Sequence, residues 1–330
     1  MIMKQAYERI RSSAAASFAV VGAAYIIAAA VGIMLYRYLS TFADEAIAAA
    51  NRGGAFTPRA YIDLAWWSNL FIADVAATAV VFIFSLIFRN ASVYDPYWSV
   101  QPLVILGALS FESEMSAPKF ALMLAVFFWG IRLTANWAMN FGSLEHEDWR
   151  YVMLREKTGK LYPLVNFLGI HLFPTVVVYL CTMPAALFVV RNVRQGPHAG
   201  IYAASAICVL AAVFQGIADL EMRAFRKSGT GTFIKTGLWK YSRHPNYLCE
   251  IVMWWSVAIG VVTVFPEIWM FLIIGAAVNT LMFLTVSIPM ADRRQSRKPG
   301  FEEYKNSTRM LLPVPRLKKA GSGPSAEKNT

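Results

Sequence analysis

Long apolar runs separated by short polar stretches dominate this chain. A helix crossing a bilayer needs roughly 20 mostly apolar residues. Runs of that kind fall near 15–36, 65–88, 117–139, 163–190, 200–222, 246–264 and 267–290. A shorter run near 98–110 reads as an eighth span or a re-entrant segment. Only helices or closed barrels satisfy the backbone in lipid, and these runs are too long and too uniformly apolar for barrel strands. The pattern predicts an all-α polytopic transmembrane helix bundle of about eight spans, within a range of seven to ten. The first run is too long for a signal-peptide core and lacks a clear A-x-A-like end, so it is expected to be a retained span.

Composition agrees. The chain is 57% hydrophobic and only 15% charged, against about a quarter charged in soluble domains. Its net charge of +11 would suit a nucleic-acid binder, but the positions argue otherwise. With eight spans and the N-terminus inside, 24 lysines and arginines fall on one side and 6 on the other, with Arg132 inside a span. That bias is what the positive-inside rule predicts. It favours counting 98–110 as a crossing, because a seven-span arrangement would split the basic loops between the two sides. The expected partner is the lipid bilayer, with no nucleic acid, and both termini are expected in the cytoplasm. The three cysteines, Cys181, Cys208 and Cys249, lie in or beside apolar runs. They form no C-x-x-C pair, and neither a disulfide framework nor a metal site is expected. No internal repeat is evident, and the polar stretch at 316–330 is expected to be disordered.

Polar residues in membrane segments are costly and tend to face bundle interiors. Four clusters stand out. In SVYDPYWSVQP, Asp95 sits with Tyr94 and Tyr97 at the start of the short run. Aromatic anchors explain the tyrosines but not the carboxylate. In the 117–139 run, Arg132, Asn136 and Asn140 share a helical face by their spacing of four. The following Glu145, Glu147, Asp148 and Arg150 read as a solvated loop. Gln215, Asp219, Arg223 and Arg226 make another one-sided stripe, which an Asp219–Arg223 pair would explain equally well.

The fourth cluster is WKYSRHPNYLCEIVMWW, Trp239 to Trp255. Pro245 biases His244 away from helical dihedrals and suits the first turn of the helix that follows. Asn246 and Glu250 then lie one turn apart on one face. The helix N-terminus, with Arg243 and His244 beside it, reads as a site for a phosphate or another anion.

LWKYSRHPNYLCE followed by an aromatic-rich span resembles the C-terminal domain of the steroid 5α-reductase superfamily. It looks most like a bacterial membrane branch that also carries stretches similar to YDPYWS (94–99) and DWRY (148–151). The resemblance covers roughly 90–315, dividing the chain into N-terminal spans (1–89), a reductase-like domain (90–315) and a tail (316–330). It implies a helix bundle that binds NADPH from the cytoplasmic side of a bacterial inner or ER-type membrane. The family's Asn-x-x-x-Asp-x(6)-Arg stripe maps onto Gln215, Asp219 and Arg226, with Gln replacing Asn. Its Asn-x-x-x-Glu maps onto Asn246 and Glu250, and its upstream tyrosine onto Tyr241. FEEYKNSTRMLLPVP, with Tyr304, matches a C-terminal stretch of the family. Arg293 and Arg297 stand where steroid reductases carry His and Tyr, and suit phosphates.

The family's catalytic Glu and Tyr have no clear counterpart, since Trp129 falls near the Tyr position. Asp95, Tyr94 and Tyr97 are therefore the candidate acids. The expected activity is NADPH-dependent reduction of an activated C=C bond in a lipid-soluble substrate. The same HPNY region is also loosely similar to isoprenylcysteine carboxyl methyltransferases, which use S-adenosylmethionine. That enzyme class, or a non-enzymatic membrane protein that kept the fold, is the alternative.

Overall fold

The computed structural model describes residues 2–52, 59–191, 196 and 198–313. The apolar runs fold as helices: α1 (Ile2–Ser12), α2 (Ala14–Arg52), α3 (Arg59–Ile87), α4 (Tyr97–Ser110), α5 (Ala117–Asn140), α6 (Trp149–Thr158), the single turn α7 (Tyr162–Val165), α8 (Phe173–Val190), α9 (Ala199–Ser228), α10 (Pro245–Val262), α11 (Trp269–Met282), α12 (Ile288–Gln295) and α13 (Phe301–Ser307). No strand occurs among the described residues. Among them, 7 helical segments are long and apolar enough to cross a membrane. The chain is an all-α polytopic bundle. The stretch 316–330 lies outside the described residues.

The short run is the informative exception. α4 has 14 residues, about 21 Å of rise, less than the ~30 Å of a hydrocarbon core. Contacts at its two ends show that the segment nonetheless runs alongside α2 for much of that helix's length. The Leu144 N–H donates to Ser17 Oγ at 3.0 Å, and the Leu144 carbonyl accepts from Asn90 Nδ2 at 2.9 Å. Asn90 is thus level with the start of α2. Beyond α4, Glu112 pairs with Arg37 of α2 at 3.7 Å. Segment 90–112 therefore runs from the level of Ser17 to that of Arg37, about 30 Å of helical rise. Its first part is a buried 3₁₀ turn, Ala91–Tyr94.

Irregular backbone is tolerated at membrane depth only where protein satisfies it. Asn90 Oδ1 accepts from the Ser92 N–H at 2.8 Å, Glu147 Oε1 from the Ala91 N–H at 2.8 Å, and the Tyr25 hydroxyl donates to the Val93 carbonyl at 3.1 Å. Glu147 is therefore not in a solvated loop. Its side chain is buried and also paired with Arg155 at 2.8 Å.

The basic segments gather at one end of the bundle, as the charge bias predicts. The Glu145 N–H donates to the Arg11 carbonyl at 3.1 Å. Arg294 lies over the Trp149 ring at 4.3 Å, and Lys298 Nζ donates to the Thr232 carbonyl at 2.6 Å. Residues 1–89 are knit into the rest, for Thr78 of α3 hydrogen-bonds Thr175 of α8 at 2.9 Å.

Proline does not break the helices where its position would suggest. Pro174 is the second residue of α8, and a π-helical turn, Asn166–Leu172, precedes it. Pro289 repeats the arrangement in α12, after the π turn Phe283–Ser287. The wider turn removes the hydrogen bond that proline cannot donate. Pro184 is accommodated inside α8. Helices approach closely at small residues. At Gly275 of α11, a Cβ would collide with the backbone of Leu180 in α8.

Candidate functional site

α9 and α10 pack antiparallel, with α5 laid against α9. Their polar faces converge into one network. Trp129 and Arg132 are three apart on α5. Gln215 and Asp219 are four apart on α9, as are Asn246 and Glu250 on α10, so each pair shares a face. Arg132 donates from Nη1 to Asp219 Oδ2 at 2.7 Å and from Nη2 to Gln215 Oε1. Gln215 Nε2 and Trp129 Nε1 both donate to Glu250 Oε2, at 2.8 and 2.9 Å. Trp254 Nε1 donates to Glu250 Oε1 at 3.0 Å, and Asn246 Nδ2 donates to Asp219 Oδ1 at 3.3 Å. Glu250 is buried among three donors, the partners that a carboxylate in lipid requires. Asp219 takes its cation from α5; Arg223 of its own helix is not the partner.

Outside this network the basic end carries a rim of cations. Arg226, Arg293, Arg294 and Arg297 are exposed, and Arg223 is half-buried. Burial, together with the like charges of Arg294 and Arg226, holds the Lys298 ammonium below its ordinary value. Cations crowded in this way suit a polyanion.

Several sequence-based expectations change here. Arg243 and His244 do not form an anion site with the start of α10. Arg243 donates to Asp292 Oδ2 at 2.9 Å and to the Thr308 carbonyl at 2.7 Å, while His244 Nε2 meets Asp292 Oδ1 at 3.0 Å. Both side chains are buried; both hold α12 through Asp292, and Arg243 also holds the segment after α13. Within the first turn, the Tyr247 N–H is held by Asn246 Oδ1 at 3.1 Å. Tyr304 is likewise committed, donating to the Trp239 carbonyl. Tyr241 is exposed, near the Lys240 ammonium at 5.8 Å.

The three candidate acids diverge. Asp95 accepts from the Tyr151 hydroxyl at 2.6 Å, and the neighbouring Arg150 is paired with Asp148 at 2.7 Å. Tyr94 hydrogen-bonds Thr175 at 2.8 Å. Tyr97 donates to Asp74 Oδ1 at 2.7 Å, and Gln101 Nε2 donates to Asp74 Oδ2 at 2.6 Å. Tyr97 therefore pairs with a carboxylate of α3, and Asp95 with a tyrosine of α6. Asp74, Tyr97 and Gln101 form the polar part of an otherwise apolar cleft between α2, α3 and α4.

A protein-family profile described as "protein of unknown function (DUF1295)" matches residues 81–308. The chain belongs to this family. It is also 26% identical, over 195 residues, to an uncharacterised protein of Schizosaccharomyces pombe, an alignment covering 51% of this chain and 56% of that protein. The chain thus spans little more than half the length of that relative. No solved structure matches. The DUF1295 segment contains the whole α5–α9–α10 network, the rim and Tyr97. Asp74 lies before it.

Sequence reasoning misses the contacts of four residues that complete these sites. Arg132 stands out in the chain as an inward-facing cation, but its partners on α9 lie more than eighty positions away. Asp74 is visible as a lone carboxylate in an apolar run, which is by default a functional signal. Asp292 and Tyr151 give no signal of their own, because only the fold brings them to His244 and Asp95.

Proposed function

We propose that the chain is an NADPH-dependent membrane reductase acting on an activated C=C bond of a lipid-soluble substrate. The observation that carries this reading is the Arg132–Asp219–Asn246 chain of contacts, lying beside a rim of crowded cations. The likeness of the HPNY region to steroid 5α-reductases supports it further. The residues present fit the nucleotide: Arg132 Nε is a buried donor without a hydrogen-bond partner, and the rim offers exposed guanidinium groups. Arg226, Arg293 and Arg297 would hold phosphates, where bidentate guanidinium contact is favoured. Asn246 and Asp219 would hold the uncharged polar groups of the nucleotide. Glu250, with three donors already on it, positions Gln215 and Trp129 and does not itself reach the ligand.

Bound NADPH supplies the hydride. The protein's own part is orientation, exclusion of water and stabilisation of charge. Tyr97 is the hydroxyl best placed to stabilise negative charge growing on a substrate carbonyl, because it faces an apolar cleft that a lipid can fill. Its proton is committed to Asp74 while that group is ionised. Uptake of a proton by Asp74 frees Tyr97 to donate toward the substrate. S-adenosylmethionine carries no phosphate and has no use for the rim, which favours the reductase over the methyltransferase reading.

The test is cofactor binding to purified protein in detergent, read by quenching of tryptophan emission, with Trp129 and Trp254 inside the network as reporters. NADPH is expected to quench and S-adenosylmethionine is not. Quenching by neither overturns the proposal, and quenching by S-adenosylmethionine alone supports the methyltransferase.

A further inference from the structure

The polar end of the α2–α3–α4 cleft is chemically one-sided. Asp74 accepts from Tyr97 and Gln101, so its two oxygens already hold two donors. In its ionised form, Asp74 can only accept. That fixes the Gln101 amide with Nε2 toward Asp74 and Oε1 away from it, since the reversed amide would set two acceptors 2.6 Å apart. Gln101 Oε1 is then left buried without a hydrogen-bond partner, on a residue that is 4% exposed and lines the cleft. A buried amide oxygen without a partner costs free energy comparable to a lost hydrogen bond. The Tyr97 hydroxyl, its proton given to Asp74, presents only lone pairs. Gln101 Oε1 is therefore the atom at this end that asks for a donor. The rest of the lining is alanine, glycine, valine, leucine and isoleucine with two further tyrosines. It extends from Tyr25 to Tyr36 along α2, about 16 Å.

We propose that this cleft selects a lipid whose polar end carries a hydroxyl, with the O–H donating to Gln101 Oε1 and the apolar body lying between α2 and α4. To call this lipid the substrate rests on the reductase reading, and then the substrate bears a hydroxyl beside its carbonyl-activated double bond. The donor preference itself requires no cofactor.

The experiment compares dodecanol with dodecyl methyl ether, which has the same chain and oxygen but no O–H. Each, in tritiated form, is titrated into the full-length protein in nanodiscs without nucleotide, after subtraction of uptake by empty nanodiscs. The alcohol is expected to bind about ten-fold more tightly, the value of one well-made hydrogen bond in a dry site. Gln101→Leu should bring the two affinities together, chiefly by weakening the alcohol. Ala29→Phe, which fills the cleft from α2, should remove saturable binding of both. Equal binding of alcohol and ether to the parent protein overturns the proposal. So does an undiminished preference in Gln101→Leu, or saturable binding that survives Ala29→Phe. Because nucleotide is absent, a failed donor preference leaves the NADPH quenching result standing, and failure of that quenching leaves the preference standing.

Discussion

The cluster around Asp219 and Glu250 and the cluster around Asp74 differ in charge. Where α5, α9 and α10 meet, Asp219 and Glu250 are closed off by Arg132, Gln215, Asn246 and two indole N–H groups. Where α2, α3 and α4 meet, Asp74 has two neutral donors and its neighbour Gln101 keeps an empty acceptor. The first contains a full charge pair, so removing one member strands the other in low dielectric. The second contains no cation, so its members can exchange hydrogen bonds with a ligand at small cost. Each cluster keeps one buried polar atom unpaired, a donor at Arg132 Nε in the first and an acceptor at Gln101 Oε1 in the second, so the first suits an accepting ligand and the second a donating one.

The sharpest way to break this contrast is Arg132→Ala. It leaves Asp219 charged and largely buried with only Asn246, and leaves Gln215 Oε1 bare. Loss of one partner of such a pair costs about 3–5 kcal/mol, so thermal unfolding in detergent should fall sharply. An unchanged melting temperature would mean that the network contributes little to stability. Tyr97→Phe, which removes the donor from the α2–α3–α4 cleft, should behave in the opposite way, with stability close to the parent and quenching by NADPH unchanged. Reduction of a lipid substrate should drop about 10²–10³-fold, as when an oxyanion-stabilising donor is disabled. Loss of cofactor binding in that variant would show that the two clusters are not independent.

Smaller effects belong to the rim. Arg226→Ala removes an exposed cation, and NADPH affinity should fall about ten-fold with a shallower dependence on salt. Asn246→Ala removes a neutral donor, so its loss of affinity should persist at high salt. If salt affects both variants alike, the division between phosphate contacts and polar contacts is wrong.

How much of this is legible in the chain follows from the range of the interactions. Seven spans are plain because each is a continuous apolar run. The segment 90–112 is suggested by a shorter apolar run and by charge bias, since the 3₁₀ turn at 91–94 interrupts its helix. Asp219, Asn246 and Glu250 are legible from helical spacing alone, a local property. Arg243 and His244 look like an anion site for the same local reason. Their partner Asp292 stands beside residues that read as phosphate ligands, and nothing in a single sequence couples it to His244. Tyr97 is found but given the wrong carboxylate, because Asp95 is near in sequence while Asp74 is near in space.

Lys298 provides the mildest test, and it bears on what distinguishes the rim from the closed network beside it. Its ammonium is partly buried, and the like charges of Arg294 and Arg226 add to the effect of burial in holding it below the ordinary value of 10.5. As pH rises, the folded state gives up this proton before the unfolded state does. Between the two values the unfolded chain binds more protons, so stability rises with pH through this window and levels off above about 10.5. Below the folded value the cost of the crowded charge is fully present. Lys298→Met carries no proton there, so this part of the alkaline rise should be missing from the variant. Saturating NADPH should also shrink it in the parent, because a bound polyanion favours the ammonium and offsets its neighbours. Denaturation of parent and variant in detergent across the alkaline range, with and without nucleotide, measures both differences. Parallel curves for parent and variant would mean that solvent and salt already screen the rim. The cations would then be no less compensated than Arg132 is by Asp219, and the contrast between a neutralised network and an unneutralised edge would be lost.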